Sequence, residues 1–244
     1  MSPSMGRDMR SRWVPLSPVL LCAGILALPM GAFAATLPFG SQNLTVFKTC
    51  TLLPNPSTST VEVDGDVRQG NANTNFGTGT SMNVTSSNSA NRRNYLRFDL
   101  TKCSPVIPAS ATIKVATLKL YTSAIPAVCR THDIFRVTAS WTETGITWNN
   151  QPFGTSINNP AQSARTSSMD IGSGTCQNAT ANAYVSGWAV TTDVAAFAAG
   201  TATNNGWMIR DDVEGSGTAR VATYATKDGN LLTQAPVLSV TYVQ

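Results

Sequence analysis

Three arginines fall in one short run, Arg92-Arg93-Asn94-Tyr95-Leu96-Arg97. A guanidinium is a planar fork that can grip a carboxylate through two parallel hydrogen bonds. Arg97, helped by Arg92 and Arg93, is therefore suited to an acidic sugar, and uronic acid polymers are the natural ligand class. The plainer role for Arg97 is a structural ion pair with Asp99 or Glu143. Downstream, Trp141 and Trp148 flank Glu143, and Trp148 is followed by Asn149, Asn150 and Gln151. Sugar C–H faces stack on aromatic rings, and neighbouring amides can orient hydroxyl groups. Arg92, Arg97, Trp148 and Asn150 are thus the candidate ligand-binding residues. Trp148 reads equally as a core plug, and Trp141, Trp188 and Trp207 read as core.

Catalysis has little to build on. Glycoside hydrolysis needs two carboxylates across a cleft. Past residue 34 the chain has three Glu (Glu62, Glu143, Glu214) and nine Asp, of which Glu143 with Asp99 is one conceivable pair. A lyase can be imagined on Tyr95, His132 and Arg97, for proton abstraction and carboxylate neutralisation. No motif marks either chemistry, and no G-x-S-x-G elbow is present for a serine nucleophile. The single His, His132, excludes any site needing two imidazoles and reads as a solvated residue at a strand start. No catalytic residue is expected. Asp64, Asp66, Asn71 and Asn73 offer oxygens to Ca2+, but with two carboxylates against the six to eight oxygens it takes, and Asp64-Gly65 is also an ordinary turn. No metal or cofactor is expected.

Composition bounds the partners. The chain has 244 residues, 42% hydrophobic and only 12% charged, with a net charge of +4. Arg7, Arg10, Arg12 and Asp8 lie in the first 34 positions; without them 14 basic and 12 acidic residues remain, a net of +2. So neutral a body lacks the electrostatic footprint of a nucleic-acid binder. Any selectivity for an anionic ligand must be local.

Residues 1–34 read as a secretory signal peptide. Arg7, Arg10 and Arg12 form its positive end, an apolar stretch follows, and Ala32-Phe33-Ala34 matches the cleavage pattern. The uninterrupted apolar core, Val19 to Leu28, is short of the roughly 20 residues that a membrane span needs, so no span is expected and the mature chain is expected outside the cell. Four cysteines then remain: Cys50, Cys103, Cys129 and Cys176. An even number in an exported chain favours two disulfides. Three pairings are possible; one bridge in each half, Cys50–Cys103 and Cys129–Cys176, is the expectation.

The elements that must position these residues read as strands. Tyr95 to Leu100 alternates cleanly, with Leu96, Phe98 and Leu100 facing a core and Tyr95, Arg97 and Asp99 facing away. Leu118 and Leu120 share a face, while Ile113 and Val115 are out of phase, so a bulge is expected near Ala116. Phe135, Val137 and Ala139 form another inward row, and Leu238, Val240 and Tyr242 a last one. Further short runs are Leu44–Phe47, Thr60–Val63, Ser81–Val84, Tyr184–Val190, Gly206–Arg210 and Arg220–Ala225. Regular short strands with Gly/Asn/Ser/Thr turns predict an antiparallel sandwich or barrel. One short helix is expected at Asp193–Ala199, capped by Thr192 and ended by Gly200.

Taken together, VRQGNANTNFGT (67–78), RRNYLRFDL (92–100), ATLKLY (116–121), SWTETGITWNNQP (140–152), DVAAFAAGTATNNGWMIRD (193–211) and APVLSVTY (235–242) resemble the extracellular DNRLRE domain, grouped with carbohydrate-binding module family 96. The resemblance covers about residues 60–242. It implies an all-β fold, an antiparallel β-sandwich of jelly-roll type, displayed outside the cell and binding polysaccharide. Such modules are often attached to polysaccharide-degrading enzymes; here signal and module use up the chain. The resulting reading is a signal peptide (1–34), a lead-in with the first strand (35–58) and one β-sandwich module (59–244). It is expected to be a secreted, non-catalytic monomer that binds polysaccharide. The rival expectations are a structural or adhesive module without a sugar site, and a small polysaccharide-cleaving enzyme.

Overall fold

Strands form where side chains alternate between two faces of the backbone. The computed structural model describes residues 45–54, 60–158, 163–176, 180–229 and 232–244. The expected signal peptide lies outside the described residues. Within them the strands are β1 (Phe47–Leu52), β2 (Glu62–Arg68), β3 (Ser81–Ser86), β4 (Arg92–Phe98), β5 (Thr112–Lys119), β6 (Tyr121–Ala124), β7 (Arg130–Arg136), β8 (Arg165–Ile171), β9 (Ala183–Tyr184), β10 (Trp188–Ala189), β11 (Trp207–Asp211), β12 (Arg220–Ala225) and β13 (Val237–Val243). One helix, α1 (Thr191–Ala198), precedes β11.

The strands make an all-β sandwich. The smaller sheet has the order β1-β13-β5-β10; the larger runs β8-β7-β11-β4-β3-β12-β6-β9, with β2 paired along β4. Every pairing is antiparallel. The main core holds Leu118, Leu238, Val240 and Tyr242 of the smaller sheet against Leu96, Phe98, Trp207 and Tyr224 of the larger one. Trp188 and Trp207 are buried whole, and their ring N–H groups donate to His132 O (3.0 Å) and Asp193 Oδ2 (2.9 Å). Both expected disulfides form, Cys50–Cys103 and Cys129–Cys176.

Several elements differ from expectation. The first strand begins at Phe47, where the expected run ended. The bulge expected near Ala116 does form, with Lys114 as its extra residue, because Thr241 pairs with Val115 and Tyr242 with Ile113. The run Tyr184–Val190 is split at Gly187, whose φ of +106° suits a residue without a side chain. Thr192 does not cap α1; Val190 holds the cap position without a side-chain bond. Asp64-Gly65 is mid-strand in β2, not a turn.

The largest difference concerns the second face of the bigger sheet. Leu96, Trp207 and Ile134 point into the sandwich, and their neighbours Tyr95, Met208 and Phe135 point the other way. That outer face is not wet. The segment from Trp141 to Phe153 lies across it, and Trp141, Ile146, Trp148 and Phe153 pack on Tyr95, Phe135 and Met208 as a second core. Three strands are thus buried on both faces.

Candidate functional site

Arg92 and Arg93 are adjacent on β4 and point to opposite faces. Arg93 enters the second core. Its Nε and Nη2 donate to the two oxygens of Glu214 (2.7 and 2.9 Å), Nη1 donates to Gln151 Oε1 and Gly154 O, and Nη2 also donates to Ser156 O. All five N–H donors of the fork are satisfied. The guanidinium carbon also lies 4.6 Å from the Trp148 ring centre. Trp148 is 3% exposed, so its ring presents no face to a ligand. Asn150 is exposed, but both ends of its amide serve its own loop: Oδ1 accepts from Thr147 N and Nδ2 donates to Gly145 O.

Arg92 stays at the surface, its side chain 31% exposed. Its Nη1 lies 4.0 Å from Asp66 Oδ2. With the Asn83 amide turned to satisfy its neighbours, the Asn83 oxygen accepts from that same nitrogen at 2.7 Å. Arg92 borders a hollow of about 220 Å³ with Asn83, Thr85, Ser87 and Val221. A second hollow of about 410 Å³ adjoins it through Ala219 and Val221, bounded by Arg220, Thr218, Ile125 and Val128. The two meet at the start of β12 and together make up one groove. Arg92 and Arg220, an amide and several hydroxyl residues line it over an aliphatic floor, and among the described residues no carboxylate lines either hollow. The Thr85 hydroxyl in its wall is buried, without a hydrogen-bond partner among the described residues.

Arg97 stands elsewhere. It borders a hollow of about 430 Å³ with Thr60, Asp99, Phe197 and Asn204, and lies 5.7 Å from the Trp141 ring centre. Neither expected ion pair forms among the described residues. Asp99 caps the turn after β4, accepting from Thr101 N and Oγ1, and Glu143 pairs with Lys227. The four candidate binding residues therefore do not converge: Arg92 lines the groove, Arg97 a separate hollow, Asn150 the surface of the covering loop, and Trp148 the second core.

His132 corrects another expectation. It is fully buried, not solvated, with Nδ1 2.7 Å from the Tyr224 hydroxyl. Burial pulls its pKa down to about 4 despite the nearby Asp211 carboxylate. The ring cannot meet a substrate. Carboxylates gather at one half-buried point instead. Asp64 of β2, Glu143 of the covering segment and Asp228 after β12 bring oxygens within 4.8 Å of one another. Lys227 pairs with Glu143 and Asp228, and its backbone N–H donates to Asp64 Oδ2 (3.1 Å). Burial alone would lower the Lys227 ammonium, but its bonds to Asp228 and Glu143 hold it above its ordinary value. Asp64 is pushed up to about 7, chiefly by burial. Gly77 lets the loop close here, since a Cβ would lie 2.0 Å from Glu143 O.

The segments that build both cores and the groove are those matched by a family model, carbohydrate-binding module family 96, over residues 55–242. The chain belongs to this family. Among curated proteins none matches it. Family membership makes it a carbohydrate-binding module and makes a carbohydrate its partner. Among the described residues no helix is long and apolar enough to cross a membrane. Two disulfides fit an oxidising compartment.

Sequence reasoning reached Arg92 but missed Arg220, a lone basic residue opening a strand. It also missed Lys227 and Asp228. One signal was available: Glu62, Asp64 and Asp66 repeat at period two, which places three acids on one face of a strand.

Proposed function

We propose that this member of carbohydrate-binding module family 96 is a secreted, non-catalytic monomer that binds an acidic polysaccharide in the groove between Arg92 and Arg220. The observation that carries this reading is the charge of the lining, two arginines and, among the described residues, no carboxylate, in a molecule that is nearly neutral overall. Each guanidinium can take a uronate carboxylate, Asn83 and the hydroxyls can orient ring oxygens, and Val221 and Ile125 offer aliphatic surface to sugar C–H groups. The near-neutral body agrees with recognition that is local. A non-catalytic role is supported by the state of the groups a catalyst would use: His132 is sealed in, Glu143 is tied to Lys227, and Asp99 is spent on its turn.

The test is retention of the chain on alginate and pectin beside neutral glucans, with product release assayed in parallel. Retention on the polyuronates without cleavage supports the reading; retention on none overturns it. The structural or adhesive reading draws on one observation, the Thr/Ser cover of the smaller sheet's outer face, where Thr49 and Thr241 meet across β1 and β13.

A further inference from the structure

The acidic point between β2, the covering segment and the end of β12 gathers more carboxyl groups than its one lysine can pair. Glu62 lies two residues from Asp64 on β2 and faces the same way. It is 1% exposed, and among the described residues neither of its carboxylate oxygens has a hydrogen-bond partner. Its carboxyl interacts directly with Asp64 and feels Lys227 and Glu143. Glu62, Asp64, Glu143 and Asp228 therefore face one ammonium, that of Lys227. Keeping all four carboxyls ionised so close together is costly unless further positive charge meets them.

We propose that Asp64, Glu143 and Asp228, backed by Glu62, form a binding site for a divalent cation, and that their all-oxygen donor set selects Ca2+. Two oxygens bound to one Ca2+ at about 2.3–2.6 Å lie at most about 5 Å apart, and the three nearest carboxylate oxygens already fall within 4.8 Å. Three carboxylates, each giving one or two oxygens, supply three to six of the six to eight that Ca2+ takes, and water or backbone carbonyls complete the set. Among the described residues no imidazole or thiol joins the group to favour a transition metal. Lys227 is the alternative occupant. Its long side chain, 8% exposed, can swing its ammonium to solvent when the metal enters. The cation would tie β2 to the covering segment through Glu143, so it would fasten the second core to the sandwich.

The proposal is independent of the groove, and no glycan enters its test. The full chain is stripped with EDTA and its melting midpoint is followed with and without Ca2+, for the wild type, Asp228→Asn and Lys227→Met. In the wild type, Ca2+ at a hundredfold excess over its dissociation constant should raise the midpoint by about 5–10 °C. Asp228→Asn should lose that rise. Lys227→Met should melt early in EDTA and recover in Ca2+, because the metal replaces the missing ammonium. If Asp228→Asn does not fold, the wild type and Lys227→Met decide. No rise in the wild type overturns the site, even if Lys227→Met shows one, since the native lysine then holds the pocket. A wild-type rise that survives in Asp228→Asn, or a Lys227→Met chain that Ca2+ does not recover, overturns it as well.

Discussion

The covered face of the larger sheet and the groove at the start of β12 use the same chemistry to opposite ends. On the covered face Arg93, Trp148, Gln151 and Glu214 close on one another, with every donor of the guanidinium spent. In the groove Arg92 and Arg220 stand partly exposed with, among the described residues, no carboxylate in the wall. Two neighbouring residues of β4 separate these fates. An arginine, a tryptophan and amides do not by themselves make a sugar site. What distinguishes a fastener from a binding group is whether its hydrogen-bonding capacity is already used.

Substitutions on the covered face should cost stability and leave binding by the folded fraction alone. The largest effect is expected for Arg93→Ala, which strips buried Glu214 of its two-pronged partner and leaves it, among the described residues, only Arg210, 3.9 Å away, and the Asn158 N–H. Such a loss costs about 3–5 kcal/mol, or roughly 10 °C in the melting midpoint of a chain this size. Trp148→Ala should cost about 3–5 kcal/mol through the cavity it opens, with glycan affinity unchanged. A fall in affinity with normal stability would break the comparison at that residue.

The buried imidazole allows a test by pH. His132 titrates near 4 in the folded chain and near 6.5 unfolded. The unfolded state thus holds more protons between these values, so the contribution of His132 to stability is present above about pH 6.5 and is lost as pH falls toward 4. The loss is about 3 kcal/mol at most. Chemical denaturation of wild type and His132→Asn at both pH values should show the steeper decline in the wild type. Equal slopes would show that the ring titrates as an exposed one.

Groove substitutions should behave in the reverse way. Arg92→Ala is expected to weaken polyuronate binding about 10- to 100-fold, the scale of a lost charge-assisted hydrogen bond, with the melting midpoint within a few degrees of wild type. Arg220→Ala should act in the same direction. The smallest effect is expected for Asn150→Ala, which removes two bonds within its own exposed loop, costs about 1 kcal/mol of stability and leaves affinity unchanged.

Much of the fold was legible because Leu96 and Phe98, or Leu238, Val240 and Tyr242, alternate against a single core. The same rule failed at Tyr95 and Arg93. Period-two alternation identifies the two faces of a strand but not whether the second one meets water. Only the return of residues 141–153 over β4, β7 and β11 decides that, and it also fixes Trp148 as core. His132 misled for a related reason. Its polar neighbours Thr131 and Asp133 suggested an edge, whereas β7 is sandwiched between β8 and β11. Arg220 became significant only when β12 placed it beside the same groove as Arg92, residues far apart in the chain. The acids of β2 were visible as a pattern, yet their meeting with Glu143 and Asp228 depends on three distant segments.

The central claim is that recognition resides in the groove and not in the tryptophan loop. Calorimetric titration of a defined oligouronate into wild type, Arg92→Ala/Arg220→Ala and Trp148→Ala tests it most directly, each variant checked for folding first. The account predicts that the arginine pair abolishes measurable binding in a folded chain while Trp148→Ala binds as wild type does. Undiminished binding by the folded arginine double variant would contradict it.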